Sequence, residues 1–253
     1  MFLQINGQLL NVVSFGHGAR TIVTHGGWVG NWELWQQPFE LLSQSWRCIG
    51  YDHRGSGESV VPLDQITPEA LVDDVFGVLD AMNVDRCILA AESLGTVVAM
   101  AAALADPERF EGLVLVDGGS SVGDQARHLV AGALSDYPAT VEAFVDDCVP
   151  EPDGEHFKRW GRHMLMRSDG PTAARILQCY LDSDQPPTPL HEITVPTLVI
   201  HGTADRIRPP ELGIAMAAGI PGATLVMIEG AGHVPTVTHP NEVVKAILER
   251  FDG

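Results

Sequence analysis

Basic residues are scarce in this sequence, and lysine is nearly absent. Only Lys158 and Lys245 are lysines, and 33 acidic residues outnumber the 15 lysines and arginines, which gives a net charge of −18. A surface of this charge repels phosphate groups, so neither nucleic acid nor an anionic membrane is expected as a partner. The sequence does not indicate an oligomeric state.

Cysteines are few, and no apolar run is long. The longest run (94–105) is about half of what a bilayer span needs. The amino terminus lacks a basic segment followed by a long apolar one, so we expect no signal peptide and a cytoplasmic protein. The cysteines are scattered and form no C-x-x-C pair, so we expect reduced, buried thiols and neither a zinc site nor a redox pair. They are Cys48, Cys87, Cys148 and Cys179.

Short apolar runs predict a mostly parallel sheet. The 253 residues, 45% of them hydrophobic, suffice for one large domain with a full core. Asn6-Gly7 joins the first two runs and predicts a hairpin. Most later runs are continuously apolar, which is typical of strands covered on both faces. The predicted strands are Phe2–Ile5, Gln8–Ser14, Thr21–Thr24, Cys48–Tyr51, Cys87–Ala90, Leu113–Val116, Thr197–Ile200 and Thr224–Ile228.

Helical patterns alternate with these strands, which predicts an α/β sandwich with helices on both faces of the sheet. The predicted helices are Trp32–Leu42, Pro68–Met82, Leu94–Ala105, Pro210–Ala218 and Pro240–Phe251. Residues 118–194 break the alternation, because they show only helical patterns and then a proline cluster at Gln185–Pro189. We therefore predict a core of residues 1–117 and 195–253, with residues 118–194 as a helical insertion. The helices of the insertion are expected near Gln125–Leu134, Ala139–Cys148, Glu155–Arg167 and Thr172–Asp182.

A candidate nucleophile lies between a predicted strand and a predicted helix. Ala91-Glu92-Ser93-Leu94-Gly95 is G-x-S-x-G with alanine in place of the first glycine. A sharp strand-to-helix turn exposes the serine hydroxyl, and it needs small residues two positions before and after the serine. Read alone, the pentapeptide also fits an ordinary serine at a helix start. Its position at a strand–helix junction favours Ser93 as a nucleophile.

A candidate acid and a candidate base follow later in the chain, each after a predicted strand. Asp205 comes after the strand Thr197–Ile200, and His233 comes after the strand Thr224–Ile228, in a glycine-rich loop. The carboxyl ends of parallel strands are where open α/β sheets place their sites. Serine needs an imidazole to take its proton, and the imidazole needs a carboxylate to fix its tautomer. Asp117, which ends another strand, is the rival acid.

An anion-binding loop is expected after the strand Thr21–Thr24. There His25-Gly26-Gly27-Trp28 can direct a backbone N–H toward the site, and the N–H of Leu94 would be the second donor of an oxyanion hole.

These features together resemble the α/β-hydrolase superfamily over essentially the whole chain. Residues 52–59, D-H-R-G-S-G-E-S, resemble the D-x-R-G-x-G-x-S loop of esterases, lactonases, haloperoxidase-like enzymes and C–C hydrolases, and we expect this loop to be structural. The resemblance implies Gly27 and Leu94 as the oxyanion donors, and the insertion resembles the helical cap of these enzymes. Serine at the nucleophile position disfavours the haloalkane dehalogenase and epoxide hydrolase branches, which use a carboxylate. The H-G-G-G run of one lipase and esterase branch is absent.

We expect the substrate to be a largely apolar small molecule. Trp28 follows the oxyanion loop, and Trp160 and Met164 share a helical face that must bury against the core or a ligand. The basic candidates, Arg159, Arg162 and Arg167, are expected to be solvated, so no phosphate site is predicted.

The expected reaction is hydrolysis of a carboxylic ester or lactone through an acyl-enzyme, with no metal or organic cofactor. Two alternatives remain open. One is C–C bond hydrolysis or perhydrolysis by the same triad. The other is a non-catalytic small-molecule receptor of this fold.

Overall fold

The fold is an eight-stranded sheet with the strand order β1-β2-β4-β3-β5-β6-β7-β8, in a computed structural model that describes residues 1–123, 125–183 and 186–252. The strands β3 to β8 are parallel to one another, whereas β1 pairs antiparallel with β2 and β2 pairs antiparallel with β4 at the edge of the sheet. This arrangement confirms the predicted fold class. The strands are β1 Phe2–Ile5, β2 Gln8–Phe15, β3 Thr21–His25, β4 Arg47–Tyr51, β5 Cys87–Glu92, β6 Phe110–Val116, β7 Thr197–Gly202 and β8 Thr224–Ile228.

The predicted amino-terminal hairpin is confirmed. Asn6 and Gly7 both have positive φ angles, of 47° and 80°, and Ile5 pairs with Gln8 across the two-residue turn. Glycine adopts this left-handed backbone freely and asparagine tolerates it, so the sequence fixes the register of β1 on β2.

Helices cover the sheet and bury its central strands. Every residue of β5 and β7 is buried, as their continuous apolar runs predicted. Helices α1 and α10 contact each other, as do α2 and α3; α3 also contacts β5 and β6, and α10 contacts β7 and β8. The helices of the core are α1 Gln36–Leu42, α2 Pro68–Ala81, α3 Gly95–Ala105, α8 Pro210–Gly219, α9 Pro235–Thr238 and α10 Pro240–Phe251.

The segment between β6 and β7 contains four helices, near the positions predicted. Helix α5 contacts both α4 and α6, and α7 contacts α4. Asp124, Asp184 and Gln185 of this segment, and Gly253, lie outside the described residues, so the linker predicted at Gln185–Pro189 is described only from Pro186. The division into core and cap stays a prediction. The helices are α4 Ala126–Ser135, α5 Tyr137–Cys148, α6 Glu155–Leu165 and α7 Gly170–Leu181.

Boundaries differ from prediction by one to three residues, mostly where tertiary contacts extend an element. The start of the predicted helix Trp32–Leu42 is a 3-10 turn over Trp32–Trp35, capped by the Asn31 side chain. The short helix α9 was not predicted. The four cysteines are free and buried, as expected. Among the described residues, no helix combines the length and the apolar character needed to cross a membrane.

Candidate active site

Ser93 lies in the turn that joins β5 to α3 and adopts a left-handed conformation, with φ of 55°. Its N–H donates to the carbonyl of Val116 at 2.8 Å, which ties the turn to β6. A methyl group at Gly95 would lie 2.4 Å from the carbonyl oxygen of Gly26. Position 95 therefore requires a small residue because the loop that follows β3 approaches it closely.

His233 faces this serine from the loop after β8. The two side chains are 2.8 Å apart, from His233 Nε2 to Ser93 Oγ. The His233 N–H donates to the Cys148 carbonyl at 2.8 Å, and the Gly232 N–H donates to Glu151 Oε1 at 2.9 Å. The end of α5 and the residues after it thus hold the imidazole loop in place.

Asp205 binds the other nitrogen of the same imidazole. Its Oδ2 is 2.8 Å from His233 Nδ1, and its Oδ1 accepts the N–H groups of Ile207 and Arg208 at 2.8 and 2.9 Å. Burial alone would raise the pKa of Asp205, but the adjacent His233 and hydrogen bonds from His201, His233 and Arg208 hold it well below its usual range. The carboxylate is therefore ionised and acceptor-only.

Asp117, the rival acid, is directed elsewhere. Its Oδ1 accepts the N–H of Gly202 at 2.8 Å, and its Oδ1 lies 3.7 Å from Nε2 of His201. Burial and the charge of Asp205 raise its pKa well above the usual value, although His201 opposes this. Within the described residues, Asp117, His201 and Asp205 are the one group whose ligand atoms lie close enough to hold a metal ion. Because Asp205 is already bound to His233, we assign no metal to this cluster.

The loop after β3 brings Gly27 against the serine. A methyl group at Gly27 would lie 3.0 Å from Ser93 Cβ, so a side chain there would displace Ser93. In the part of the chain that the structure describes, the backbone N–H groups of Gly27 and Leu94 donate no hydrogen bond. Both N–H groups are therefore free to donate to an anionic oxygen near Ser93.

Two buried histidines hold the carbonyl groups of this loop. His25 Nδ1 is 2.7 Å from the Gly26 oxygen, and His53 Nε2 is 3.0 Å from the Gly27 oxygen. Their rings stack with centroids 4.8 Å apart. Burial lowers the pKa of His25 to about 3, with His53 adding to the effect and the Gly26 hydrogen bond opposing it. Burial lowers the pKa of His53 as well, so both rings are neutral.

The loop at residues 52–59 supports the site through His53, described above, and through contacts that fix its own backbone. Asp52 accepts the N–H of Trp32 at 3.2 Å and that of Glu58 at 2.9 Å. Arg54 forms a buried ion pair with Asp74, at 2.6 Å. These contacts are consistent with the structural role that the sequence analysis predicted for this loop.

A largely closed pocket lies on one side of Ser93. It is narrower and less open than the second cavity at Ser93, and all three predicted pocket residues line it: Trp28, Trp160 and Met164. Trp28 Nε1 donates to the Ala173 carbonyl at 2.8 Å, and its ring meets that of Phe144 edge to face at 5.0 Å between centroids. The indole is therefore fixed, and the pocket wall is apolar.

A wider and more open cleft lies on the other side of Ser93. Arg206, Arg208 and His128 line it, and sequence reasoning missed them, although Arg206 and Arg208 follow the predicted acid by one and three residues. Of the basic candidates that the sequence analysis expected to be solvated, Arg159 and Arg167 are exposed and Arg162 is half-buried. Arg162 pairs with Asp146 and Arg167 pairs with Glu33, each at 2.6 Å.

Sequence reasoning also missed Glu92, the residue before the candidate nucleophile. Its side chain is buried, and its Oε2 accepts the Thr236 hydroxyl at 2.8 Å, while Oε1 has no partner in the described chain. Burial raises its pKa to about 8; Thr236 opposes this and Asp205 adds to it. Glu92 is thus neutral at pH 7, and Asp205 is the charged carboxylate bound to His233.

The chain is similar in sequence to known hydrolases. A sequence model described as the Alpha/beta hydrolase family matches residues 22–246. The chain is 30% identical to a pimeloyl-[acyl-carrier protein] methyl ester esterase from Nitrosomonas europaea, over 93% of this chain and 96% of the relative. It is 26% identical to 3-oxoadipate enol-lactonase 2 from Acinetobacter baylyi, over 96% and 94%. The structure of the enol-lactonase from Burkholderia xenovorans superposes with a TM-score of 0.92 and full coverage of both chains, at 24% identity.

Proposed function

The chain belongs to the alpha/beta hydrolase family, and on that premise we propose that it is a serine hydrolase that cleaves a carboxylic ester or lactone through an acyl-enzyme. One observation carries the proposal. Ser93 Oγ, His233 and Asp205 form a continuous hydrogen-bonded chain in which both links are 2.8 Å long. The named activities of the methyl ester esterase and the enol-lactonase support the same class of substrate.

In the proposed acylation step, His233 Nε2 takes the proton of Ser93 as Oγ attacks the substrate carbonyl carbon. For this the imidazole must carry its own proton on Nδ1, and the 2.8 Å contact from Nδ1 to Asp205 Oδ2 favours that tautomer. The ionised Asp205 also stabilises the imidazolium that forms. The left-handed turn at Ser93 supports the attack, because it exposes Oγ at the carboxyl edge of the sheet.

The carbonyl oxygen becomes an anion in this step and needs donors that are already in position. We assign that part to the N–H groups of Gly27 and Leu94, which are otherwise unengaged in the described chain. Removing one such donor in a serine protease costs about 10²- to 10³-fold in kcat. Neutral His25 supports the arrangement, because its contact with the Gly26 carbonyl orients the peptide group that also carries the Gly27 N–H.

In the proposed second half of the reaction, His233 returns the proton to the leaving alcohol, or to the alkoxide end of an opened lactone. The imidazole then activates a water molecule, which attacks the acyl-enzyme through the same oxyanion site. Every proton passes through His233 Nε2, so the loop contacts from Cys148 and Glu151 to residues 232 and 233 are expected to affect both half-reactions.

The proposed substrate has an apolar part that fits beside Trp28, Trp160 and Met164. The closed pocket offers aromatic and aliphatic walls, and burying an apolar group there contributes about 25 cal/mol per Å². Sugars and other polyhydroxylated groups would leave hydroxyls unpaired in this pocket, which disfavours them.

The proposal is tested by the kinetics of triad variants on 4-nitrophenyl butanoate. Ser93→Ala and His233→Ala are each expected to lose about 10⁴- to 10⁶-fold in kcat, and the double variant should be no worse than either single one, because the residues act as a unit. Ser43→Ala, which alters a serine at the end of α1, serves as the control and should keep full activity. Retention of more than about a tenth of the activity by Ser93→Ala would overturn the assignment.

A substrate panel separates the proposed reaction from C–C bond hydrolysis. Lactones, alkyl esters and dienoates are compared by kcat/KM, since activated aryl esters do not discriminate between these enzymes. Faster turnover of esters or lactones than of dienoates is expected. The reverse order would assign the triad to C–C cleavage, and covalent labelling without any turnover would favour a receptor.

A further inference from the structure

The open cleft beside Ser93 contains an arginine that has no acidic partner. Arg208 is half-buried in the wall of the cleft, and within the described residues it forms no ion pair. Burial lowers its pKa, although the charge of Asp205 opposes this. A guanidinium that has lost part of its hydration without gaining a carboxylate is costly, which indicates that a further anion is needed.

The geometry of this guanidinium leaves donors available. Nη2 donates to the Ser121 carbonyl at 2.8 Å, and in the described chain the remaining side-chain N–H groups of Arg208 have no acceptor. Asp205 does not supply one, because its Oδ1 accepts backbone N–H groups and its Oδ2 binds His233. The guanidinium can therefore donate two hydrogen bonds to the oxygens of one carboxylate.

The charges around the cleft differ from those of the protein as a whole. The net charge of −18 gives an anionic molecule no general attraction, so a local cation is required to hold one. Arg206 and His128 line the same cleft, while Asp136 and Asp147 are exposed at its rim. Asp136 accepts the N–H of Ala139 as the cap of α5. Arg206 is exposed, whereas Arg208 is half-buried and held by its hydrogen bond to the Ser121 carbonyl.

We propose that the open cleft is an anion subsite, in which Arg208 binds a carboxylate carried by the substrate while the apolar part of the substrate occupies the closed pocket. This inference rests on the proposed function and narrows it to esters or lactones of carboxylate-bearing molecules. Both cavities meet at Ser93, Trp28 and Phe144, so one substrate can extend into both with its reacting carbonyl at the serine.

A structural alternative exists for the same arginine. Through Ser121, Arg208 also links the loop after β7 to the loop after β6, and a strap of this kind would affect every substrate alike. An anion subsite would affect only substrates that carry the charge. Matched neutral and charged esters therefore distinguish the two functions.

The experiment compares kcat/KM for two matched ester pairs. Monomethyl glutarate and methyl pentanoate differ by a carboxylate in place of a methyl group on the acyl part, and the butanoyl ester of glycolic acid and ethyl butanoate differ in the same way on the alcohol part. The wild-type protein is expected to prefer the charged member of at least one pair. Arg208→Gln should lower that charged-to-neutral ratio by about tenfold to hundredfold, the range for one charge-assisted hydrogen-bonded pair. Arg208→Lys should retain part of the preference.

Arg86→Gln is the matched control, since it removes the same charge at an exposed position near the amino end of β5, where its Nε donates to the Glu108 carbonyl. The charged-to-neutral ratio of kcat/KM in Arg86→Gln should equal that of the wild type. A ratio unchanged by Arg208→Gln, or equal losses on both esters of a pair, would overturn the anion subsite while leaving the hydrolase intact. Absence of turnover on all four esters by the wild type would overturn the proposed function and the subsite with it.

Discussion

Replacing Glu92 by glutamine is expected to reduce the loss of stability that the protein undergoes as the pH rises from acidic to alkaline. Glu92 is buried next to Ser93, with Oε1 unpartnered in the described chain. Burial raises its pKa to about 8, from 4.5 in the absence of the fold. Between these two pH values the unfolded chain has lost the proton and the folded chain still holds it. The stability of the wild type therefore falls as the pH rises from 4.5 to 8.

The size of this effect follows from the two pKa values. Each pKa unit corresponds to about 1.4 kcal/mol, so Glu92 costs the wild type about 3 kcal/mol of stability between pH 5 and pH 8. Glutamine cannot ionise and removes this loss. Its amide adds an unpaired buried group that costs about 1–3 kcal/mol, but this cost is the same at both pH values and cancels in the difference.

The assay is urea unfolding at pH 5 and pH 8, followed by circular dichroism. The decrease in the free energy of unfolding from pH 5 to pH 8 should be about 3 kcal/mol smaller in Glu92→Gln than in the wild type. Glu111→Gln, at an exposed position of β6, is the control and should behave as the wild type. An equal decrease in Glu92→Gln and the wild type would show that Glu92 is ionised in the folded protein and would refute the reasoning.

Three further predictions concern the acid, the oxyanion loop and the nucleophile turn. Asp205→Asn should lower kcat by about 10⁴-fold because it favours the wrong imidazole tautomer, whereas Asp117→Asn should cost little; the reverse order in ester turnover would make Asp117 the acid. Neutral His25, with its pKa of about 3, stabilises the fold above pH 6.5, and this contribution is lost as the pH falls below 6.5. Between pH 7 and pH 4.5, the free energy of unfolding measured with urea should therefore fall by about 3 kcal/mol less in His25→Gln than in the wild type. An equal fall in both proteins would contradict the assignment. Gly95→Ala would place a methyl group 2.4 Å from the Gly26 oxygen, so we expect about 1–3 kcal/mol of lost stability together with reduced ester turnover; a fully active and stable variant would argue against this packing.

Much of the fold could be predicted because local signals and long-range packing agree. Continuous apolar runs mark strands that are buried on both faces, and the Asn6-Gly7 turn sets the register of the first hairpin. The order of Ser93, Asp205 and His233 after three different strands also predicts that they meet at one edge of the sheet. The structure brings these three side chains together.

What could not be predicted depends on contacts between segments distant in the chain. Nothing local distinguishes Asp205 from Asp117, since both follow strands, and only the position of the His233 loop separates them. The environment of Glu92 is set by Thr236, which lies 144 positions later. The placement of Arg208 depends on Ser121 and the loop after β6, so its place in the cleft is not visible in the sequence around it.

The most direct test of the proposed mechanism is stoichiometric inactivation by a fluorophosphonate, with the adduct located by peptide mass spectrometry. The account predicts one phosphonyl group on Ser93 per chain, with ester turnover lost in proportion to labelling and no adduct in Ser93→Ala. An adduct on another residue, or turnover that persists after Ser93 is fully labelled, would contradict it.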